Sequence, residues 1–268
     1  MELMYQKNWP TIKKRMEHLW NMEIFDRCCI SIMAPLDKNN PYIEKVPTNQ
    51  ADLMKYYWDQ EWILKRNLEK FDKTYFGGDA LPCLFPYFGT GGHAKYICDP
   101  KSIEYQPDTI WIHPSLDEEY DPKYFVMKED NEFFKRELSL LKELSREGMG
   151  KFFVTPPDNC GSYDGLSQLR GNADLMMDML DDPEPVKAAG RALVKILRDT
   201  GDKFFDAIYE NNDRGSAHGW MNTWCPGKHL QLQCDLSVML STDIYEDMIM
   251  EELIETSSWL DHSIYHMD

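Results

Sequence analysis

Two short stretches carry residue types at a spacing that site chemistry can use. In residues 261–268, DHSIYHMD, the two-residue period of a strand puts Ile264, His266 and Asp268 on one face, so an imidazole and a carboxylate project together. Residues 228–235, KHLQLQCD, alternate Leu230, Leu232 and Cys234 with Gln231, Gln233 and Asp235, and they also finish in a carboxylate. A histidine beside acids can move a proton, orient a nucleophile or ligate a metal ion. Asp235, His266 and Asp268 are therefore the candidate catalytic residues, and His266 with Asp268 is a candidate metal pair.

One amphipathic segment, 242–260, separates the two stretches. Strand–helix–strand is the unit of parallel α/β folds, whose ligands bind beyond the carboxyl ends of the strands. The same geometry makes the polar loop 156–165, which follows the apolar run KFFVT (151–155), a candidate substrate loop with Asp158, Tyr163 and Asp164 as contacts; a solvated, capped turn is the alternative. A polar and aromatic loop before residue 228 adds His218, Trp220 and Asn222 as candidate substrate contacts, against simple loop packing. Upstream, the patterning predicts an opening helix over 1–21, a buried first strand over 28–34, one long helix over 51–73 and a short apolar run over 81–87. Gly89, Gly91 and Gly92 point to close packing or a close approach to a ligand. Further helices are predicted over 131–146, 173–179 and 185–211. Residues 1–268 show no repeat, low-complexity tract or linker and read as a single domain.

A formal charge of −17 disfavours nucleic acid and anionic membrane surfaces as partners. With no run of eighteen apolar residues and no secretory leader pattern, a soluble, cytoplasmic protein is expected. Seven cysteines, an odd number without C-x-x-C spacing, indicate reduced thiols. Cys28, Cys29 and Cys98 read as core residues, whereas Cys160, Cys225 and Cys234 lie where a thiolate could bind zinc.

Several motifs in order, Phe25-Asp26-Arg27, LRGNADLMMDMLDDPEPV (169–186), CDLSVMLSTDIYEDMIMEEL (234–253) and LDHSIYHMD (260–268), resemble the uroporphyrinogen decarboxylase superfamily. The resemblance implies a TIM-type (β/α)8 barrel with its site at the carboxyl ends of the strands. It also implies either of two activities: cofactor-free porphyrinogen decarboxylation, or zinc-dependent methyl transfer between a corrinoid and a thiol. Porphyrinogen decarboxylases carry an Arg-Gln-Ala-Gly-Arg-Tyr segment after the first strand; here Met33-Ala34-Pro35-Leu36-Asp37 has no arginine. The methyltransferases carry a His-x-Cys zinc motif at the end of the sixth strand, and its match, His266-Met267-Asp268, keeps the histidine and replaces the cysteine with aspartate. Zinc on His266 and Asp268 is thus conditional, and no other cofactor is implied. Because the motifs end at the sixth strand, the expected barrel is incomplete: about six parallel strands, open, either truncated or completed in a homodimer or by a second chain. The expected function is methyl transfer of the corrinoid type on a small-molecule substrate, with a corrinoid protein as partner. The alternatives are a decarboxylase acting on a small carboxylic acid or porphyrinogen, and a non-catalytic binding protein or inactive fragment.

Overall fold

Trp9 and Pro10 open the first helix, α1 (Trp9–Trp20), where proline is tolerated because first-turn N–H groups lack an intrahelical acceptor. Trp9, Ile12 and Met16 recur at helical spacing on its buried face. The computed structural model, which describes residues 2–117 and 119–267, continues with β1 (Ser31–Pro35), α2 (Gln50–Trp58), α3 (Gln60–Asp72), β2 (Thr74–Gly78) and β3 (Cys83–Leu84). Then come β4 (Ile103–Tyr105), β5 (Ile110–Ile112), α4 (Glu132–Gly148), β6 (Phe153–Val154), α5 (Ser162–Arg170), α6 (Asn172–Asp181) and α7 (Pro183–Ile208). The series closes with β7 (Ser216–His218), β8 (Thr223–Cys225), β9 (His229–Leu232), α8 (Thr242–Ile244), α9 (Met250–Trp259) and β10 (His262–Tyr265). This is a mixed α/β fold in two compact units, each drawn from three segments: residues up to 87, 138–157 and 204–229 form the first, and 88–137, 158–203 and 230 onward form the second. No described helix is long and apolar enough to cross a membrane.

In the first unit the two apolar runs 81–87 and 151–155 do pair in parallel, Cys83 opposite Phe153 and Leu84 opposite Val154. The sheet stops there. Side-chain amides stand where further strand backbones would: Asn211 Oδ1 accepts from Val154 N–H at 2.7 Å, while Asn211 Nδ2 and Asn212 Nδ2 donate to the Phe152 and Val154 carbonyls. Asn222 does the same for Leu81, accepting from its N–H and donating to its carbonyl, both at 2.8 Å. The other registered pairs, β1–β2, β4–β5 and β7–β8, are antiparallel, and β9 lies beside β10. Six parallel strands in an open barrel are therefore not what the described residues form; they make five two-stranded sheets. The core of this unit is built on Trp9, edge-on to Phe153 and Trp224 with ring centroids 4.8 and 5.2 Å away.

Two local expectations also change. Residues 28–34 do not make a buried barrel strand: β1 is mostly exposed and forms a ribbon with β2, with Cys28 exposed as well. The Phe25-Asp26-Arg27 motif secures that ribbon, since Arg27 and Arg15 both donate to the buried Asp79 carboxylate and Asp26 pairs with Arg15. The helix over 51–73 is broken at Asp59, which is extended and caps α3 by accepting from Trp62 N–H at 3.0 Å.

In the second unit, the glycine run serves close packing. A Cβ on Gly89 would lie 2.7 Å from Ile110 Cβ, and one on Gly91 2.3 Å from Ile112 Cδ1. The predicted helix 242–260 is interrupted by a π turn over Tyr245–Ile249. If the asparagine amides replace strand backbone, Asn212→Leu leaves the buried Val154 carbonyl and Ala217 N–H unsatisfied and lowers unfolding stability by about 2–4 kcal/mol in a urea titration.

Candidate functional site

The polar face of KHLQLQCD organises the second unit's charged groups. Along it, Gln231 is fully buried, Gln233 half-buried and Asp235 exposed, so a row of polar ends runs from the interior outward. Gln231 Nε2 donates to the Asn159 carbonyl at 2.9 Å, and Asn159 Nδ2 donates back to the Gln231 carbonyl at 3.2 Å. This reciprocal pair fixes residues 158–160 against the start of the row. At its outer end Gln233 Nε2 donates to Asp235 Oδ2 at 3.2 Å.

The second stretch arrives beside the first. The His266 N–H donates to the Leu232 carbonyl at 2.8 Å, and His266 Nδ1 comes within 3.8 Å of Asp235 Oδ1. Both side chains are partly exposed, at 33% and 49%, although His266 Nδ1 itself, the atom facing Asp235, is buried. Asp235 does not close the strand as expected; it opens a 3-10 turn whose Leu236 N–H is held by Asp164 Oδ1 at 2.9 Å. Nor is β10 a buried strand, being half-buried to exposed. Asp268 lies outside the described residues.

The same unit holds carboxyl groups that burial pushes above their ordinary range. Asp158, half-buried, is pushed up to about 6, chiefly by desolvation and also by Asp235, with Lys95 and the hydrogen bond from Gln231 opposing. Burial raises Asp164 as well, against the pull of its backbone donors. Glu252, on α9, accepts from Ser162 N–H at 2.5 Å and is pushed by burial up to about 7. The Ser162 hydroxyl is 3.1 Å from His93 Nε2, and burial with the nearby Lys95 ammonium drives His93 down to about 3, so that imidazole stays neutral. Lys95 is the only lysine or arginine buried among the described residues, and it ion-pairs with buried Glu137 at 2.6 Å, with Tyr96 donating to the other Glu137 oxygen at 2.5 Å. Burial raises Glu137 while these two partners oppose the rise.

The sequence-predicted residues divide between the units. Asp158, Tyr163, Asp164, Asp235 and His266 are in the second, although Tyr163 and Asp164 sit in helix α5 rather than a loop. His218, Trp220 and Asn222 are in the first; His218 is buried edge-on to Trp220, with centroids 5.0 Å apart, and both ends of the Asn222 amide serve Leu81. His93, Lys95, Glu137 and Glu252 were not picked out from the sequence. Only Glu252 leaves a trace there, as an acid on the buried stripe shared with Met248, Ile249 and Thr256.

Zinc does not fit the described residues. No three His, Cys, Asp or Glu side chains among them converge to hold an ion. Cys160 and Cys234 are held as neutral thiols by burial and by the surrounding carboxylates.

No protein-family model matches the sequence, and no curated protein is similar to it in sequence. In structure the chain is similar to a methyltransferase from Methanosarcina mazei, with a TM-score of 0.60 and 12% identity over 96% of this chain and 69% of that one. At that identity the likeness is one of fold alone.

The raised carboxyls have a consequence for stability. A buried carboxyl whose folded pKa lies above its ordinary value of 4.5 favours the folded state fully at low pH, and that contribution is lost as pH rises through about 7. Glu252→Gln should remove this slope between pH 4.5 and 7 and raise stability at pH 8 by on the order of 3 kcal/mol, as read from denaturant unfolding across pH.

Proposed function

We propose that the chain is an enzyme of the uroporphyrinogen decarboxylase superfamily that transfers a methyl group to or from a small-molecule substrate in the cytoplasm, with a corrinoid protein as partner. The motif order and the methyltransferase-like fold support it. The observation that carries it is the approach of His266 to Asp235 at 3.8 Å at the exposed end of the polar row. Methyl transfer to a thiol forms a sulfur–carbon bond, breaks the donor–methyl bond and releases the thiol proton. The His266 imidazole takes that proton, and Asp235 stabilises the resulting imidazolium and orients the ring. Asp158, raised to about 6 and linked to the same row through Gln231, lies close enough to exchange a proton with it.

With methylcobalamin as donor and 2-mercaptoethanol as acceptor, the purified chain is expected to demethylate the corrinoid, followed by its change in visible absorption. His266→Ala and Asp235→Asn should slow this by about 100-fold or more while leaving the circular dichroism spectrum unchanged. Equal rates in the parent and both variants would refute the proposal.

A further inference from the structure

The first unit contains a cavity of about 230 Å³ that the proposed chemistry does not use. Its lining is unusual for a chain of charge −17: two cations, Arg66 and Lys70, against one acid, Glu44, with Phe85, Tyr87 and Trp220 supplying aromatic surface. Arg66 is pre-set. Its guanidinium carbon lies 3.7 Å from the centroid of the Tyr56 ring, and Nη1 donates to Glu44 Oε1 at 3.3 Å. Glu44 is already engaged, accepting also from the Tyr42 and Tyr56 hydroxyls at 2.5 and 3.0 Å, so it offsets Arg66 and leaves the second cation uncompensated.

One donor in this cavity lacks an acceptor among the described residues: Arg66 Nε is buried with no hydrogen-bond partner, while the exposed Lys70 lines the same cavity. A buried N–H without an acceptor is uncommon in folded proteins and calls for one. The wall beside them is neutral: burial pushes the Cys83 thiol up to about 12 despite the nearby Lys70 ammonium. Gly219 lets the wall close up, since a Cβ there would meet Phe85 Cβ at 2.6 Å. For scale, a dry cavity of ~150 Å³ holds benzene; this one has room for one aromatic ring and a carboxylate.

We infer that this cavity is a binding site for a small aromatic carboxylate, its ring against Phe85 and Trp220 and its carboxylate on Lys70 Nζ and Arg66 Nε. The inference stands apart from the methyl-transfer proposal, which concerns groups in the other unit.

Calorimetric titration of the full chain at pH 7.5 with benzoate, benzyl alcohol and benzylammonium tests it. Benzoate is expected to bind saturably and at least ten-fold more tightly than the other two. Lys70→Met should weaken benzoate at least ten-fold with little effect on benzyl alcohol, and Trp220→Ala should weaken both. Benzylammonium binding as tightly as benzoate would overturn the inference in favour of a cation site on Glu44. No saturable benzoate binding, or benzoate binding indifferent to Lys70→Met in a variant with an unchanged melting temperature, would overturn it too.

Discussion

Taking an ammonium out of water costs several kcal/mol unless an opposite charge and good hydrogen bonds meet it, and in the second unit that ammonium is Lys95. Glu137 at 2.6 Å and the Phe88 carbonyl at 3.3 Å meet it directly. Once placed, its field reaches several of the unit's buried groups. It lowers Asp158 and Cys160 against the rise that burial imposes, and it helps keep His93 neutral. The backbone carrying it must come very close to the 158–162 segment. Gly92 adopts φ +47°, and a side chain there would strike Cys160 N at 2.6 Å. The glycine run, the buried lysine and the acid-rich segment are therefore one construction: remove the room at Gly92 and the cation no longer reaches the acids it restrains.

Much of the second unit's outer site was legible in the sequence. Alternation in KHLQLQCD gave the polar row of Gln231, Gln233 and Asp235, and the position of His266 put an imidazole beside it. What alternation could not show is where the strand would end, because Asp235 is drawn into a turn by Asp164, a residue 71 positions away in sequence. Lys95, Glu137 and Glu252 were missed for a related reason. A charged residue looks solvated in sequence, and its burial depends on a partner far along the chain: Lys95 meets Glu137 and Ser162 meets Glu252. The sheet was misjudged because hydrophobic runs report strands but not their neighbours. Asn211 reads in sequence as the end of a helix and Asn222 as a loop contact for substrate, yet with Asn212 their amides serve the backbone of β6 and of the residues leading into β3.

An acidic chain with a few cations gathered at one cavity also constrains the ligands. The net charge of −17 repels polyanions at long range, while Arg66 and Lys70 offer short-range attraction to a single carboxylate. Small, singly charged ligands satisfy both. The absence of arginines over 33–37 agrees with that preference, since a substrate with many carboxylates needs several cations on one surface.

The claim at the centre of this account is that burial keeps two carboxyl groups of the second unit, Asp158 and Glu252, poised near neutrality. Carbon-13 NMR of the side-chain carboxyls, followed from pH 3 to 9 in the full-length chain with Asp158→Asn and Glu252→Gln used for assignment, tests it directly. The account predicts one aspartate titrating near 6 and one glutamate near 7. Titration of both assigned groups at the ordinary carboxylate values of about 4 would contradict it.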